Sequence, residues 1–287
     1  MTDAPSGFLL IDKPAGLTSH DAVDSVRRAT GVRKVGHAGT LDPAATGLLL
    51  VAVGRATRLL RYAGELSKEY EGTGLLGVET DTLDADGAVV GGDADAASRV
   101  TEGDLRAAMA AFVGEIEQIP PAYSAVKVGG ERLYRAARRG EAVAAPPRTV
   151  RVDAFDLVRF EPPAFDVRVV CSGGTYVRTL AADIGTRLGC GAHLIRLRRV
   201  AIGPLSVTTA RPPDAPGDPI PADEVLAHLA SVEITDEEAV AVSHGRVLGP
   251  SGVAGPYRVH GPDGTLLGIY HDEGPKAVPD VVLAPAG

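Results

Sequence analysis

One aspartate stands in a loop whose composition suits catalysis. Asp42 lies within the segment Gly36-His-Ala-Gly-Thr-Leu-Asp-Pro-Ala-Ala-Thr-Gly47, just ahead of the apolar run Leu48–Val53, which is typical of a buried strand. Pro43 has a fixed φ and biases Asp42 towards an extended conformation. A carboxylate held in such a loop is rigid yet reachable, so it could act as a nucleophile. Asp-Pro is also common in ordinary turns, and the loop alone leaves both interpretations open.

Other patterns that could carry chemistry are weaker. Gly72-Thr-Gly-Leu-Leu-Gly77 matches the glycine pattern of dinucleotide-binding loops, but the residues that follow, VETDTLDADG, are not the start of a helix packed on a sheet. The aspartates before Gly87 resemble a calcium loop, yet Asp93 rather than a glutamate stands at its twelfth position. Cys171 and His193 could form a nucleophilic pair, although nothing around them singles them out. The seven histidines are scattered, so we expect neither a metal site nor a cofactor.

Charge is distributed unevenly along an acidic chain. The formal net charge is −8, which on its face argues against a nucleic-acid partner. Residues 127–151, however, hold seven basic residues against two acidic ones, and residues 187–211 hold five arginines and no acidic residue. Each segment alone is typical of a solvated basic face. Two such segments in an acidic chain also fit a surface that binds a polyanion, and the pattern leaves both interpretations open.

The elements that must position Asp42 are short strands and helices. The sequence predicts a strand at residues 7–13, a helix from about residue 18 towards residue 30, a strand after residue 47, a short helix at 55–63 and a strand at 69–78. It then predicts a helix at 105–112 capped by Thr101, a basic helix near 132–139, strands at 149–160 and 164–171, and a helix at 175–188. With 35 glycines and 21 prolines in 287 residues, the composition indicates a mixed fold rather than a helical bundle.

The chain is expected to form two domains in the cytoplasm. From about Val232 the pattern changes to short β runs with Gly-Pro turns, which separates residues 1–231 from residues 232–287. The first residues lack the features of a secretory signal, and the longest apolar run, Leu48–Val53, is far too short to cross a bilayer. Cys171 and Cys190 are too few for a disulfide framework. We therefore expect reduced thiols, a cytoplasmic location and no membrane partner.

Six motifs run in order along the chain between about residues 13 and 199. They are Lys13-Pro-Ala-Gly-Leu-Thr-Ser19; the Gly36–Gly47 loop; Lys68-Glu-Tyr70 with Thr80-Asp-Thr-Leu-Asp-Ala-Asp-Gly87; Pro120-Pro-Ala-Tyr-Ser-Ala-Val-Lys127; Cys171-Ser-Gly-Gly-Thr-Tyr-Val-Arg178; and Gly191-Ala-His-Leu194 with Leu197-Arg-Arg199. Together they resemble the motifs of the TruB family of tRNA pseudouridine synthases. Since all six occur in the family's order, the resemblance is specific.

The resemblance implies roles for particular side chains. Asp42 would be the nucleophile, and Arg178 would pair with it, since an opposed charge typically lowers a carboxylate pKa by about 1–3 units. Tyr70 would stack on the flipped uracil, with proton abstraction at C5 as a further role. His37 would hold the RNA, and Leu197 would give an apolar contact. The other implied substrate-binding residues are Tyr176, Lys127, Arg138 and Arg139.

The function implied is the isomerisation of uridine to pseudouridine at position 55 in the tRNA T-loop. The reaction breaks the N1–C1′ bond, turns the base and rebonds it through C5, so it needs no redox cofactor and no ATP. The base must leave its stack to reach Asp42. The expected partner is the T-arm of tRNA, bound by a monomer. Two alternatives are an RNA-binding module, which has no use for a paired carboxylate, and a small-molecule hydrolase, which leaves the basic segments unexplained.

The resemblance also implies the architecture. We expect an α+β catalytic domain built on a bent, largely antiparallel mixed sheet, followed by a small PUA-like β domain at 232–287. A thumb-like basic insertion at about 124–148 would close on the T-arm and contact phosphates. The acidic segments 81–126 and 212–240 would face away from the RNA.

Overall fold

The structure is a computed structural model that describes residues 5–124, 126–133, 135, 139, 141 and 145–283. Its helices are α1 (Ser19–Thr30), α2 (Leu60–Glu65), α3 (Ala94–Ser98), α4 (Glu102–Ala110), α5 (Val177–Leu188), α6 (Ala222–Val225) and α7 (Asp236–Ser243). Short 3-10 helices lie at Gly54–Leu59 and Val207–Thr209. Within the described residues, no helix is long and apolar enough to cross a membrane.

Strands of the first 206 residues form one mixed sheet and two small hairpins. They are β1 (Gly7–Lys13), β2 (Val35–Ala38), β3 (Thr46–Val53), β4 (Lys68–Leu76), β5 (Glu79–Thr80), β6 (Val89–Gly91), β7 (Gly114–Gln118), β8 (Lys127–Val128), β9 (Glu131–Arg132), β10 (Arg148–Glu161), β11 (Ala164–Cys171), β12 (Ala192–Ile202) and β13 (Leu205–Ser206). The sheet runs in the order β1-β3-β12-β4-β11-β10-β7, with β2 paired to β3 and β13 to β12. Among the described strand pairs of this sheet, β12–β3 is parallel and the others are antiparallel. This is the α+β, largely antiparallel arrangement that the sequence predicts.

The six apolar residues of β3 are buried on both faces of the sheet. Because side chains alternate along a strand, Leu49, Val51 and Val53 join one core cluster, and Leu48, Leu50 and Ala52 join another. Helices α1, α4 and α5 pack on the first face, whereas α2 and α6 pack on the second. The strand that follows the Asp42 loop is therefore fixed from both sides.

Two helix starts follow from local sequence. Thr18 caps α1 and Thr101 caps α4, each through a capping box with an aspartate three residues on, and α1 ends at Gly31 in the left-handed conformation. One prediction was wrong in detail: the start of the Gly36–Gly47 loop is strand, because β2 pairs with β3. The basic helix expected near 132–139 is helical at the described residues Leu133 and Arg135. Arg132 instead ends strand β9, which forms a hairpin with β8.

A second sheet ends the described chain. It contains β14 (Ala230–Glu233), β15 (Tyr257–His260), β16 (Leu266–Glu273) and β17 (Lys276–Val282), in that order. Ile269 and Val281 of this sheet join the second core cluster. The phenol of Tyr62 on α2 donates a hydrogen bond of 2.8 Å to Asp280 on β17. The small sheet thus packs on the same helix that borders the site described next.

Candidate active site

A cleft of about 780 Å³ lies over the middle strands of the main sheet. Its walls come from the loop at 37–42, helix α2, strands β4 and β12, and the segment 172–178 that precedes and opens α5. Six residues predicted from the sequence line it: Asp42, Tyr70, Arg178, His37, Leu197 and Tyr176. The volume is in the range of pockets that enclose a small molecule or a single nucleotide.

The loop that carries Asp42 is fastened on both sides of the carboxylate. The Ser19 hydroxyl donates to the carbonyl of Leu41 at 3.0 Å and accepts from its amide at 2.9 Å. On the other side, the buried Lys13 ammonium donates to the carbonyl of Pro43 at 3.2 Å, and also to those of residues 14 and 17. Burial lowers the pKa of Lys13 to about 8, so it is charged at neutral pH. The loop therefore holds Asp42 on a rigid support.

Arg178 faces Asp42 from the first turn of α5. Its Nε lies 3.4 Å from Asp42 Oδ2, and its Nη1 lies 3.3 Å from Asp84 Oδ2. Nη1 also donates to the Thr82 carbonyl at 3.1 Å, and Nη2 donates to the Tyr123 carbonyl at 2.5 Å. The side chain is only 5% exposed. Three segments of chain thus hold one guanidinium against the carboxylate of Asp42.

The carboxyl group of Asp42 is harder to ionise than an exposed one. Burial raises its pKa, Arg178 acts in the opposite direction, and Asp84 raises the pKa further. The sequence-based expectation considered only the lowering effect of Arg178 on this pKa, and the effect of burial is larger. Asp42 still keeps 37% of its side-chain surface open to the cleft, which leaves an oxygen accessible to a bound molecule.

Tyr70 lies opposite Arg199 across the β4–β12 pairing. Arg199 is buried and donates to the carbonyls of Leu48 at 2.6 Å and Gly39 at 3.1 Å, with Nη1 3.4 Å from the Tyr70 oxygen. Burial raises the pKa of Tyr70, and Arg199 opposes the shift. The phenol is therefore neutral at pH 7, which suits a hydrogen-bond donor better than a base.

His37 and Tyr176 both line the cleft. Burial, aided by the charges of His20 and Arg199, lowers the pKa of His37 to about 4, so its imidazole is neutral at pH 7. The ring of Tyr176 lies under the guanidinium of Arg148, with 4.6 Å from Cζ to the centroid. A neutral imidazole and an aromatic ring are surfaces on which a nucleobase can stack.

Comparison with known proteins gives a consistent assignment. The family model for the TruB family pseudouridylate synthase N-terminal domain matches residues 27–177. Two C-terminal models match residues 178–211 (tRNA pseudouridylate synthase B C-terminal domain) and 229–284 (tRNA pseudouridine synthase II, C terminal). The tRNA pseudouridine synthase B of Mycobacterium sp. strain KMS is 44% identical over 98% of this chain and 97% of its own length. The chain belongs to the TruB family.

Further relatives agree with this TruB assignment. The tRNA pseudouridine synthase B of Leifsonia xyli is 46% identical, with coverage of 95% of this chain and 94% of the relative. Among solved structures, the archaeal box H/ACA sRNP Nop10-Cbf5 complex contains a chain with a TM-score of 0.74 and 25% identity, covering 99% of this chain and 88% of that one. The chain is thus an enzyme with the pseudouridine synthase fold, and the binding-module alternative fails.

The other three predicted substrate-binding residues lie in or near the basic segment. Lys127 is part of the backbone of β8. Arg139 pairs with Glu131 at 2.6 Å and with Glu141 at 2.8 Å, and it is not among the described residues that line the cleft. Arg138 lies outside the described residues.

Sequence reasoning gave no individual role to several charged residues of the TruB site. Asp84 belongs to the acidic segment expected to face away from RNA, yet it pairs with Arg178, so that expectation was wrong at this position. Lys68, Arg148 and Arg199 line the cleft as cations. Asp84, Lys68 and Arg199 stand inside motifs that the sequence singles out, but a motif does not show the direction of a side chain. Among the described residues, no group of three or more possible ligands could hold a metal ion.

Proposed function

We propose that this enzyme isomerises uridine to pseudouridine at position 55 in the T-loop of tRNA, with Asp42 as the nucleophile. The observation that carries the proposal is the ion pair of Arg178 with Asp42 at the wall of a nucleotide-sized cleft. The relatives named above are tRNA pseudouridine synthases, which supports tRNA as the substrate.

The chemistry assigns each group a task. The target uridine leaves its stack and enters the cleft, where Tyr70 and Leu197 contact the base. For attack at C1′, ionised Asp42 bonds to C1′ as the N1–C1′ bond breaks, and the electron pair of the broken bond leaves with the base. After the base turns, C5 bonds to C1′ and the Asp42–C1′ bond breaks, which restores the carboxylate. The C5 proton passes to water, and N1 takes up a proton. Attack at C6 followed by release of Asp42 from C6, and a glycal route in which the carboxylate moves a ribose proton instead of attacking, would use the same carboxylate.

Arg178 maintains the nucleophile during these steps. The guanidinium favours the ionised form of Asp42 against the effect of burial, and its other contacts hold it in place. The 3.4 Å separation of Arg178 Nε from Asp42 Oδ2 leaves room for a shorter contact in the substrate complex. Such tightening on substrate binding is common in active sites.

RNA contact would extend beyond the cleft. Arg61 and Arg148 line it, and the basic segment 124–148 would serve as a thumb that contacts phosphates through Lys127, Arg138 and Arg139. Arg139 would then exchange its glutamate partners for phosphate oxygens. Replacement of Arg138 and Arg139 by glutamine should flatten the salt dependence of tRNA binding, and an unchanged slope would exclude the thumb role. Residues 232–287 would act as a PUA-like domain.

Tritium release tests the reaction. Unmodified tRNA labelled at C5 of uridine is incubated with the wild-type enzyme, with Asp42→Asn, and with Asp24→Asn as a control on the exposed face of α1. We expect about one equivalent of label released by the wild type and the control, since C5 becomes the glycosyl carbon, and none by Asp42→Asn. A transcript with cytidine at position 55 should release nothing above background. Label retained by the wild type despite tight tRNA binding would refute the proposal.

A further inference from the structure

Two buried cations lie beside Tyr70 at the bottom of the cleft. Lys68 is 4% exposed and Arg199 is 1% exposed, and both line the cleft. Lys68 and Tyr70 are two positions apart on β4, so they share one face of the sheet, and Arg199 stands opposite Tyr70 on β12. The three side chains therefore form one cluster.

Neither cation has a carboxylate partner among the described residues. The Lys68 ammonium donates to the carbonyls of Gly64 and Leu66, and Arg199 donates to two carbonyls and faces the Tyr70 oxygen. The neighbour of Arg199 on β12, Arg198, instead pairs with Asp12 at 2.7 Å. Burying an unpaired charge is costly, so two of them in one active site point to a negative charge that arrives with the substrate.

Burial changes the protonation of the lysine without removing its charge at neutral pH. Desolvation, together with the nearby guanidinium of Arg199, lowers the pKa of Lys68 to about 8. At pH 7 the cluster therefore carries two positive charges next to a neutral phenol.

Two glycines border the buried cations where these line the cleft. A Cβ on Gly39 would lie 3.6 Å from Arg199 Nη1 and 4.0 Å from Lys68 Cε. A Cβ on Gly173 would lie 3.1 Å from Lys68 Nζ. Both glycines line the cleft. A side chain at either position would contact the cations, so at these two points no side chain lies between the cations and the cleft.

We propose that Lys68 and Arg199 stabilise the negative charge that the uracil carries while it is detached from the ribose. The inference rests on the proposed function and adds a charge-stabilising site to it. When the N1–C1′ bond breaks, its electron pair leaves with the base, and the charge spreads over N1 and the two carbonyl oxygens. Arg199 acts through Tyr70: by donating to the phenol oxygen, it leaves the phenol hydrogen free to donate to the base. The charge of Lys68 attracts the anionic base electrostatically, and this attraction is strong because the site has a low dielectric constant.

A change of leaving group tests this role. T-arm stem-loops carry either uridine or 5-fluorouridine at the target position, and the rate of rearrangement is measured in a single turnover by nuclease digestion and chromatography. Fluorine withdraws electrons, so 5-fluorouracil forms an anion more easily and needs less help from the protein. It replaces the C5 hydrogen, so the rearranged nucleoside itself is the readout rather than released tritium.

The variants are Lys68→Met and Arg199→Met, each with its charge-conserving partner, Lys68→Arg and Arg199→Lys. We expect each methionine variant to lose about 100-fold on uridine, the order found when one preorganised donor is removed. On 5-fluorouridine the loss should be at least tenfold smaller, with RNA affinity within about threefold of wild type. Arg198→Met is the matched control, because its cation pairs with Asp12, and it should change both rates by one common factor.

The possible results separate the two claims. Equal losses on both bases, or a loss confined to RNA affinity, would overturn the charge-stabilising role. A wild-type enzyme that rearranges neither base would instead overturn the proposed function. Circular dichroism shows whether each methionine variant folds. If one does not, its charge-conserving variant supplies the test. In that variant the charge is displaced, so the ratio of the 5-fluorouridine rate to the uridine rate should be higher than in the wild type.

Discussion

Removal of Arg178 should move the pH dependence of the enzyme. The active form of Asp42 is the carboxylate, so the rate falls as pH decreases through the pKa of this group. Burial and Asp84 raise that pKa, whereas Arg178 is the main influence that lowers it. In Arg178→Met, we therefore expect the acid limb of the rate profile to shift to higher pH.

The size of the shift follows from the contact. For charges 3.4 Å apart, an effective dielectric constant of about 20 gives an attraction of roughly 5 kcal/mol. Asp42 keeps 37% of its side-chain surface open, so water screens part of this attraction. We expect a rise of about 1–3 pKa units, the range that an adjacent arginine typically produces. The variant should thus recover part of its lost rate as pH increases.

Single-turnover tritium release between about pH 5 and 9 measures this limb directly. Asp84→Asn supplies a control of opposite sign, because removal of its charge should lower the pKa of Asp42. An acid limb that stays in place in Arg178→Met would refute the electrostatic reasoning and leave Arg178 with a purely geometric role. A shift of the acid limb in the same direction in Arg178→Met and Asp84→Asn would also refute it.

Four further predictions concern the support of the site. Lys13→Met should lower single-turnover activity more than RNA affinity, since it frees the Pro43 side of the Asp42 loop, and filter binding alongside tritium release separates the two effects. Gly47→Ala should destabilise the fold in urea titrations by more than about 3 kcal/mol, because the new Cβ would meet the β12 backbone at 2.2 Å in a left-handed conformation. For each of the buried lysines Lys13 and Lys68, the free energy of unfolding should rise by about 2 kcal/mol between about pH 8 and 10. In this range the unfolded chain still binds a proton at the lysine, whereas the folded chain has released it. Lys68→Met should remove the part of the rise that comes from Lys68. Tyr62→Phe should cost about 1 kcal/mol in the same titrations by removing the hydrogen bond to the C-terminal sheet.

Local sequence signals predicted the parts of the fold that depend on nearby residues. Thr101 caps α4 as expected, and α1 begins close to the predicted residue 18, because a capping box is complete within four residues. The long pair of strands at 148–161 and 164–171 is also present where the β-rich runs placed it. Strand β2 was missed because its structure depends on pairing with β3 rather than on its own composition.

Site residues that belong to a recognised motif could be predicted from the sequence. Contacts between residues far apart in the chain could not. The motifs brought out Asp42, Tyr70 and Arg178, and the structure places all three in one cleft. Asp84 was expected to face away from the RNA with its acidic segment, since its contact with Arg178 spans 94 positions and leaves no local signal. Arg199 was read as part of a basic surface, yet it is buried. Charge along a sequence does not reveal burial, which depends on strand register.

The two-sided burial of β3 has a consequence for how the chain tolerates change. Both faces of this strand are apolar, so a slip by one residue would exchange one set of aliphatic side chains for another at little cost in hydrophobic contact. What opposes the slip is Gly47, where the backbone of β12 approaches too closely for any other residue. The register of β3 against β12, and with it the position of the loop that carries Asp42, therefore depends on a residue that has no side chain.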